Sequence, residues 1–337
     1  MSSSEHPSRR QLIGGTAGLA AAAIATPALA QDAATATRPD LTGKSILVTG
    51  SSTGFGRLTV LHAARCGARV FATMRNMDGG RRPEAAELAS IAQAEGLKID
   101  LIEMDVTDPV QVPGAVTVAQ DAIGGALDCV VNNAGIGLSG PVELTDEQGL
   151  EDIFDVNLFG YMRVARAALP AMRAARKGLI INVSSQLGRV VIPGVGAYSG
   201  TKFAVEAMFE ALAYELAPFG VECCIVQPGG YPTNIWRSGE RYSDEMVARA
   251  TDEQRAAYAE FLAASRRRFA GGGTTDPQDV ANAIVEIVAM PLGRRPLRRP
   301  VHPNTRATDA LNAAHSQVQA MALGNGPFAP WHAAVTD

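Results

Sequence analysis

Between Lys44 and His302 the chain alternates short, continuously apolar runs with longer stretches of helical period, and this alternation limits its folds more than any other feature. The short runs read as strands over 45–49, 69–73, 98–104, 127–132, 179–184, 222–227 and 298–302. Helical stretches lie near 55–66, 84–95, 109–123, 145–176, 197–217 and 277–290. Segments such as Ile46-Leu47-Val48 and Cys129-Val130-Val131 are apolar at every position, as strands are when helices cover both faces of their sheet. Strand–helix–strand repetition implies a parallel sheet with right-handed crossovers. The reading is a single α/β domain, a doubly wound parallel sheet of about seven strands with helices on both faces.

Composition removes several alternatives. With 47% hydrophobic and 19% charged residues over 337 positions, the chain is neither disordered, collagen-like nor a small disulfide scaffold. Thirty Lys+Arg against 34 Asp+Glu leave a net charge of −4, which argues against a nucleic-acid partner. The four cysteines, Cys66, Cys129, Cys223 and Cys224, lack CxxC or zinc spacing and read as buried thiols. The five histidines are scattered without HExxH spacing, so no metal site is expected.

The N-terminus reads as an address. Ser8-Arg9-Arg10-Gln11-Leu12-Ile13-Gly14 resembles a twin-arginine export signal, and an uncharged Ala/Gly-rich run leads to Ala28-Leu29-Ala30, a small-x-small cleavage site. Cleavage after Ala30 would give a periplasmic protein. The rival readings are an uncleaved membrane anchor, for which the run is long enough, and an Ala-rich tail without function. Many Gly and Ala, with Pro27 near the end, make it weakly hydrophobic for a permanent span, so no stable membrane span is expected in the mature form. Residues 31–42 read as a polar linker, 43–305 as the folded domain and 306–337 as a C-terminal helix and tail. A long excursion, about 230–273, carries Tyr231, Trp236, Tyr242, Tyr258, Phe261 and Phe269. It reads as a lid over a hydrophobic ligand, unless these aromatics only pack a helical insertion.

After the first strand comes Thr49-Gly50-Ser51-Ser52-Thr53-Gly54-Phe55-Gly56, opening a helix. Gly50 allows a tight turn, Gly54 lets backbone approach a pyrophosphate, and Gly56 lets helix and strand pack closely. The free N–H groups of the helix start then face the phosphates. This is the phosphate cradle of a Rossmann-type dinucleotide fold, with G-x-x-x-G-x-G spacing in place of G-x-G-x-x-G.

At this point the chain resembles the short-chain dehydrogenase/reductase family, and its segment Val70-Phe71-Ala72-Thr73-Met74-Arg75 resembles the steroid- and retinol-acting branch. The markers run in order: the loop at 49–56, Asp105 after the third strand, Asn132-Asn133-Ala134-Gly135 after the fourth, and Asn157 in the long helix. Ser184-Ser185 follow the fifth strand, then Tyr198-x-x-x-Lys202, then Pro228-Gly229 after the sixth. Tyr198 and Lys202 are four apart and share a helix face. An ammonium about 4 Å from the phenol, at an effective dielectric near 20, would favour phenolate by roughly 4 kcal/mol, bringing the pKa from about 10 toward 7; desolvation works against it. Such a pKa suits general acid/base chemistry.

The resemblance implies the remaining roles. Ser185, thirteen residues before Tyr198, would hydrogen-bond the reacting oxygen; Lys202 would also hold the nicotinamide ribose, and Asn157 would position a proton-relaying water. Gly50, Ser52, Gly54, Phe55 and Gly56 would form the cradle. Asp105 and Val106 would contact adenine, and Asn133, Ala134 and Gly135 would wall the adenine-ribose side. Pro228, Gly229 and Thr233 would face the nicotinamide. NAD-preferring members place an acid at the end of the second strand. Here that position is Met74, followed by Arg75, which with Ser52 can bind a 2′-phosphate, so NADP(H) is expected in preference to NAD(H). The implied function is hydride transfer between NADP(H) and an apolar carbonyl or secondary alcohol by a homodimer or homotetramer paired through 145–176 and 197–217. The alternatives are a non-catalytic NADP-binding sensor or scaffold, and an epimerase or dehydratase on the same fold. Retention of Ser185, Tyr198 and Lys202 argues against the first, and compact length with that set against the second.

Overall fold

Side chains along each strand alternate between two apolar layers. Ile46 and Val48, Cys129 and Val131, and Leu179, Ile181 and Val183 join one layer, whereas Leu47, Val130 and Ile180 join the other. Both faces are therefore covered at these central strands, which is why they are largely apolar, whereas the edge strands carry charge, Asp100 and Glu103 at one edge and Arg298 and Arg299 at the other. The computed structural model describes residues 38–269 and 274–335. Its strands are β1 (Ser45–Val48), β2 (Arg69–Met74), β3 (Ile99–Glu103), β4 (Cys129–Asn132), β5 (Gly178–Val183), β6 (Val221–Pro228) and β7 (Arg298–Val301). They form one parallel seven-stranded sheet in the order β3-β2-β1-β4-β5-β6-β7. The chain winds outward in opposite directions from β1 and β4, so a crevice opens beyond their C-terminal ends.

The helices up to the sixth strand are α1 (Gly54–Arg65), α2 (Pro83–Glu95), α3 (Gln111–Asp121), α4 (Glu147–Phe154), α5 (Gly160–Ala175) and α6 (Gly196–Leu216). After it come α7 (Ile235–Arg249), α8 (Asp252–Ala257), α9 (Ala259–Phe269), α10 (Gln278–Ala289), α11 (Arg306–Leu323) and α12 (Ala329–Ala333). Helices α1, α2 and α10 cover one face of the sheet, and α3, α5 and α6 the other. All four cysteines are free and buried. Among the described residues no helix is long and apolar enough to cross a membrane.

Three sequence expectations change. The helix expected over 145–176 is two helices joined by a π turn, Asp155–Phe159, which contains Asn157. Apolar periodicity does not register one extra residue in a turn. The supposed linker ends before Leu41, whose side chain is fully buried and whose N–H donates to Cys66 O at 2.8 Å. A lone leucine among polar residues carries no period, yet burying it is worth about 1.5–3 kcal/mol. The excursion forms three helices, α7 to α9, and among its described residues only the start, Gly230 to Ser238, reaches the crevice. Tyr242, Tyr258 and Phe261 pack the helical insertion, with Tyr258 Oη donating to Glu143 Oε2 at 2.6 Å. The export signal, most of the linker, residues 270–273 and the Phe269 side chain lie outside the described residues.

Candidate active site

The crevice is a cleft of about 1040 Å³. At its floor the glycine loop is closed by contacts that leave no room for side chains. A Cβ on Gly50, whose φ is +68°, would lie 2.8 Å from Ala134 Cα. A Cβ on Gly56 would lie 2.3 Å from Gly50 O and 2.5 Å from Asn133 Nδ2, so Gly56 serves loop closure as well as helix–strand approach. Thr49 Oγ1 accepts from the N–H groups of Asn133 and Ala134, both at 2.9 Å, and Asn133 Nδ2 donates to Thr49 O at 2.9 Å. Thr49 and Asn133 thus tie the end of β1 to the end of β4.

Gly50, Ser52, Gly54 and Phe55 line one end of the cleft, with Arg75, Asp105, Val106, Asn133, Ala134 and Gly135 beside them. Asp105 Oδ1 accepts from Thr107 N and Oγ1 at 3.0 and 2.8 Å, which fixes the turn after β3. Arg75 Nη1 lies 4.0 Å from Asp105 Oδ2, and its side chain is 47% exposed. Met74 lines the wall at the position where an acid would accept a ribose diol. Arg82, not foreseen, also lines this end; its Nη1 donates to Arg75 O at 2.7 Å and its Nε to Glu84 Oε2 at 3.0 Å. The Arg81-Arg82 pair so soon after Arg75 was the available signal, and only the fold shows that Arg82 is the one on the cleft.

Ser185, Tyr198, Lys202, Pro228, Gly229 and Thr233 line the other end. Pro232 occupies a three-residue turn in which Thr233 N donates to Tyr231 O at 2.8 Å, bringing Thr233 toward the glycine loop. Ser185 caps the turn after β5: its Oγ accepts from Leu187 N at 3.0 Å and faces Pro228 O at 3.4 Å. Lys202 Nζ donates to Val183 O at 2.9 Å and lies 5.2 and 5.7 Å from the ring centroids of Tyr161 and Tyr198. Val183 O is its sole hydrogen-bond acceptor among the described residues, so two of its three donors stay uncommitted on the cleft wall. Asn157 is fully buried and does not line the cleft. Its amide pairs with the Ile136 backbone, accepting from N at 2.9 Å and donating to O at 3.0 Å, and holds the strand exit beneath the site.

Burial dominates the electrostatics here. It pushes the Tyr198 phenol up to about 12, with only a hydrogen bond to Ser185 pulling it lower. It also drives Lys202 down to about 7, against the pull of the Glu206 carboxylate. The drop of Tyr198 toward neutrality expected from the lysine charge alone is thus outweighed by desolvation of both groups. The Trp236 indole contributes to that burial. It packs on Tyr198 with ring centroids 5.1 Å apart, and its Cε3 lies 2.6 Å from where a Cβ on Gly137 would be. Trp236, Ile136, Leu187, Val190 and Ile192 make the wall around Tyr198 apolar.

The arrangement suits a dinucleotide: a cradle closed around glycines, an end carrying Arg75 and Arg82, and a buried lysine with unspent donors. Comparison with known proteins agrees. Residues 44–243 match the family model described as short chain dehydrogenase. The chain is 34% identical over 275 residues to "Retinol dehydrogenase 8" of Bos taurus, covering 80% of this chain and 84% of that protein. A short-chain dehydrogenase from Streptomyces avermitilis superposes with a TM-score of 0.64 at 32% identity, over 82% of this chain and 94% of that one. A short chain dehydrogenase/reductase from Burkholderia phymatum, solved in complex with NAD, gives a TM-score of 0.67 at 27% identity, over 83% and 96%. This chain belongs to the short-chain dehydrogenase family and is a hydride-transferring oxidoreductase.

Proposed function

We propose that the protein is an NADP(H)-dependent oxidoreductase that interconverts an apolar carbonyl compound and its alcohol. The observation that carries this reading is the layout of one cleft, with Ser185, Tyr198 and Lys202 at one end and Arg75 at the other. Bound NADPH would supply the hydride to the carbonyl carbon. Ser185 Oγ hydrogen-bonds the carbonyl oxygen, and Tyr198 Oη delivers the proton to that oxygen as its negative charge develops. In the oxidative direction Tyr198 removes the same proton. The Lys202 ammonium lowers the cost of the phenolate left behind, and its uncommitted donors hold the nicotinamide ribose. Asn157, fixed at the π turn, serves the proton path to solvent. Gly50, Gly54 and Gly56 admit the pyrophosphate; Asp105, Val106, Asn133, Ala134 and Gly135 border the adenosine; Pro228, Gly229 and Thr233 border the nicotinamide. Arg75, Ser52 and the neighbouring Arg82 favour a 2′-phosphate, and Met74 offers no acceptor for a free diol. Wild-type kcat/KM for NADPH against NADH, over a panel of apolar ketones, aldehydes and alcohols, tests the reading. An equal or better value with NADH removes the cofactor preference.

The substrate reading rests on the apolar wall of Ile136, Leu187, Val190, Ile192 and Trp236. Association into dimers or tetramers is proposed through α5 and α6, where Phe203, Ala207, Met208 and Ala211 are exposed on α6. Light scattering is expected to give two or four chain masses, and a single-chain mass refutes the association.

Export of the folded, cofactor-loaded protein by the twin-arginine route completes the proposal, because folding before export lets the cofactor be loaded in the cytoplasm. Arg9→Lys combined with Arg10→Lys is expected to trap the precursor there. Fractionation showing the double variant exported like wild type, or wild type in the cytoplasm at full length, refutes the route.

A further inference from the structure

Lys202, Glu206 and Glu210 follow one another at intervals of four on α6 and are 2%, 2% and 5% exposed. That spacing stacks them on one helix face. Arg298 of β7 bridges the two carboxylates, with Nε 2.8 Å from Glu206 Oε2 and Nη2 2.5 Å from Glu210 Oε2. Gln227 Nε2 donates to Glu206 Oε1 at 3.0 Å. Glu210 is held further by Tyr214 Oη at 2.7 Å, Gln319 Nε2 at 3.2 Å and His315 Nε2 at 2.8 Å. Lys202, Arg298 and the nearby Arg189, with His315 at the rim, thus stand around two carboxylates in a region largely closed to water. An unmatched charge is expensive in such a place.

Glu206 also stands one turn beyond the lysine on α6, against the turn that follows β5. A Cβ on Gly188 would lie 3.1 Å from both Glu206 Cγ and Lys202 O, so the turn that begins at Ser185 rests on this segment. Helix α11 closes the group from outside with a polar inward face. Asn312 Nδ2 donates to Gln227 Oε1 at 2.7 Å, and His315 and Gln319 reach Glu210. The Ser185 turn is tied to the same region by Gln186 Nε2 to Asn304 O at 3.2 Å and Arg189 Nη2 to Leu311 O at 3.4 Å.

We propose that Glu206 is a positioning residue for the reaction: it is the counter-charge that keeps Lys202 an ammonium beside Tyr198 and Ser185, and Arg298, Glu210 and helix α11 hold it in place. Around Lys202 stand the Tyr198 ring on α6, the Tyr161 ring on α5 and Val183 O on β5; Glu206 follows one turn along α6 with its carboxylate on Arg298 of β7 and Gln227 of β6, and Arg189, from the turn after β5, lies near it. Two ring faces and one carbonyl favour the ammonium weakly; Glu206 brings a full negative charge. Burial works against the ammonium, and Glu206 is the carboxylate that opposes it.

The inference rests on Lys202 acting as a catalytic ammonium, and the test separates the two ideas. Glu206→Gln keeps the shape and removes the charge, although its amide oxygen can accept only one of the two hydrogen bonds that Glu206 takes from Arg298 and Gln227. It is expected to move the alkaline limb of the kcat/KM–pH profile down by about 1–2 pH units, with turnover recovered as the pH falls. Glu206→Asp should fall between wild type and Gln. Glu215→Gln, exposed on the same helix, should leave the limb in place. A limb that coincides with wild type in Glu206→Gln, or in Glu206→Asp if only that variant folds, overturns the proposal even where Tm falls. Survival of turnover in Lys202→Ala would instead overturn the role of the lysine itself.

Discussion

Tyr198→Phe is expected to lower kcat by roughly 10²–10⁴-fold while leaving the Kd for NADPH within about twofold of wild type. The ring keeps its packing on Trp236, 5.1 Å between centroids, and its place beside Lys202, so the cleft retains its shape. Only the proton donor is lost. Because burial pushes this phenol up to about 12, it is protonated at neutral pH before reaction and ready to act as an acid toward a carbonyl. Single-turnover reduction rates and NADPH fluorescence titration measure the two quantities. Near-normal turnover in the variant would mean that another group carries the proton.

Met74→Asp combined with Arg75→Ala is expected to reverse cofactor preference, moving the ratio of kcat/KM for NADPH over NADH by roughly 10²-fold. A charge-assisted hydrogen bond to a phosphate contributes about 1.5–3 kcal/mol, and a carboxylate in its place both repels the phosphate and accepts the free diol. Met74 is buried against the α1 and α2 side of the sheet, so the double variant also loses apolar packing and its Tm should fall. Arg82 remains at the same end of the cleft and will retain part of the phosphate affinity. Steady-state constants with both cofactors decide the matter: an unchanged ratio would make Arg75 a surface charge.

The parts of this molecule legible in its sequence are those that repeat a local rule. Each expected strand is present within a few residues, because the central strands, covered on both sides, are apolar along most of their length. The glycine loop was readable because its steric demand falls on the glycines themselves, and the structure shows 2.3–2.8 Å clearances at Gly56 and Gly50. Tyr198 and Lys202 sit on one helix face, as their spacing required. What escaped was non-local. Arg298 meets Glu206 and Glu210 across 92 and 88 residues of chain, and no periodicity announces such a pair. Leu41 belongs to the core through a contact with Cys66 that its own neighbours do not suggest. The drop expected for Tyr198 is outweighed because the attraction between two charges can be estimated from spacing, whereas the water removed from them depends on the whole fold.

The π turn at Asp155–Phe159 has a consequence for how this protein tolerates change. Ile153, Asn157 and Tyr161 lie four apart and are all fully or almost fully buried. In a regular α-helix two such steps would rotate the last residue roughly 80° from the first. The wider turn absorbs part of that drift and keeps all three facing the sheet. What matters at this point is therefore the number of residues more than their identity. Dropping one residue would yield a more regular helix and swing Asn157 away from Ile136, releasing the strand exit under the cleft. Conservative exchanges on the outer side of the turn, at the exposed Phe159 for instance, leave that count intact. Family members that differ here by a single insertion or deletion would thus diverge in activity while their side chains still looked alike.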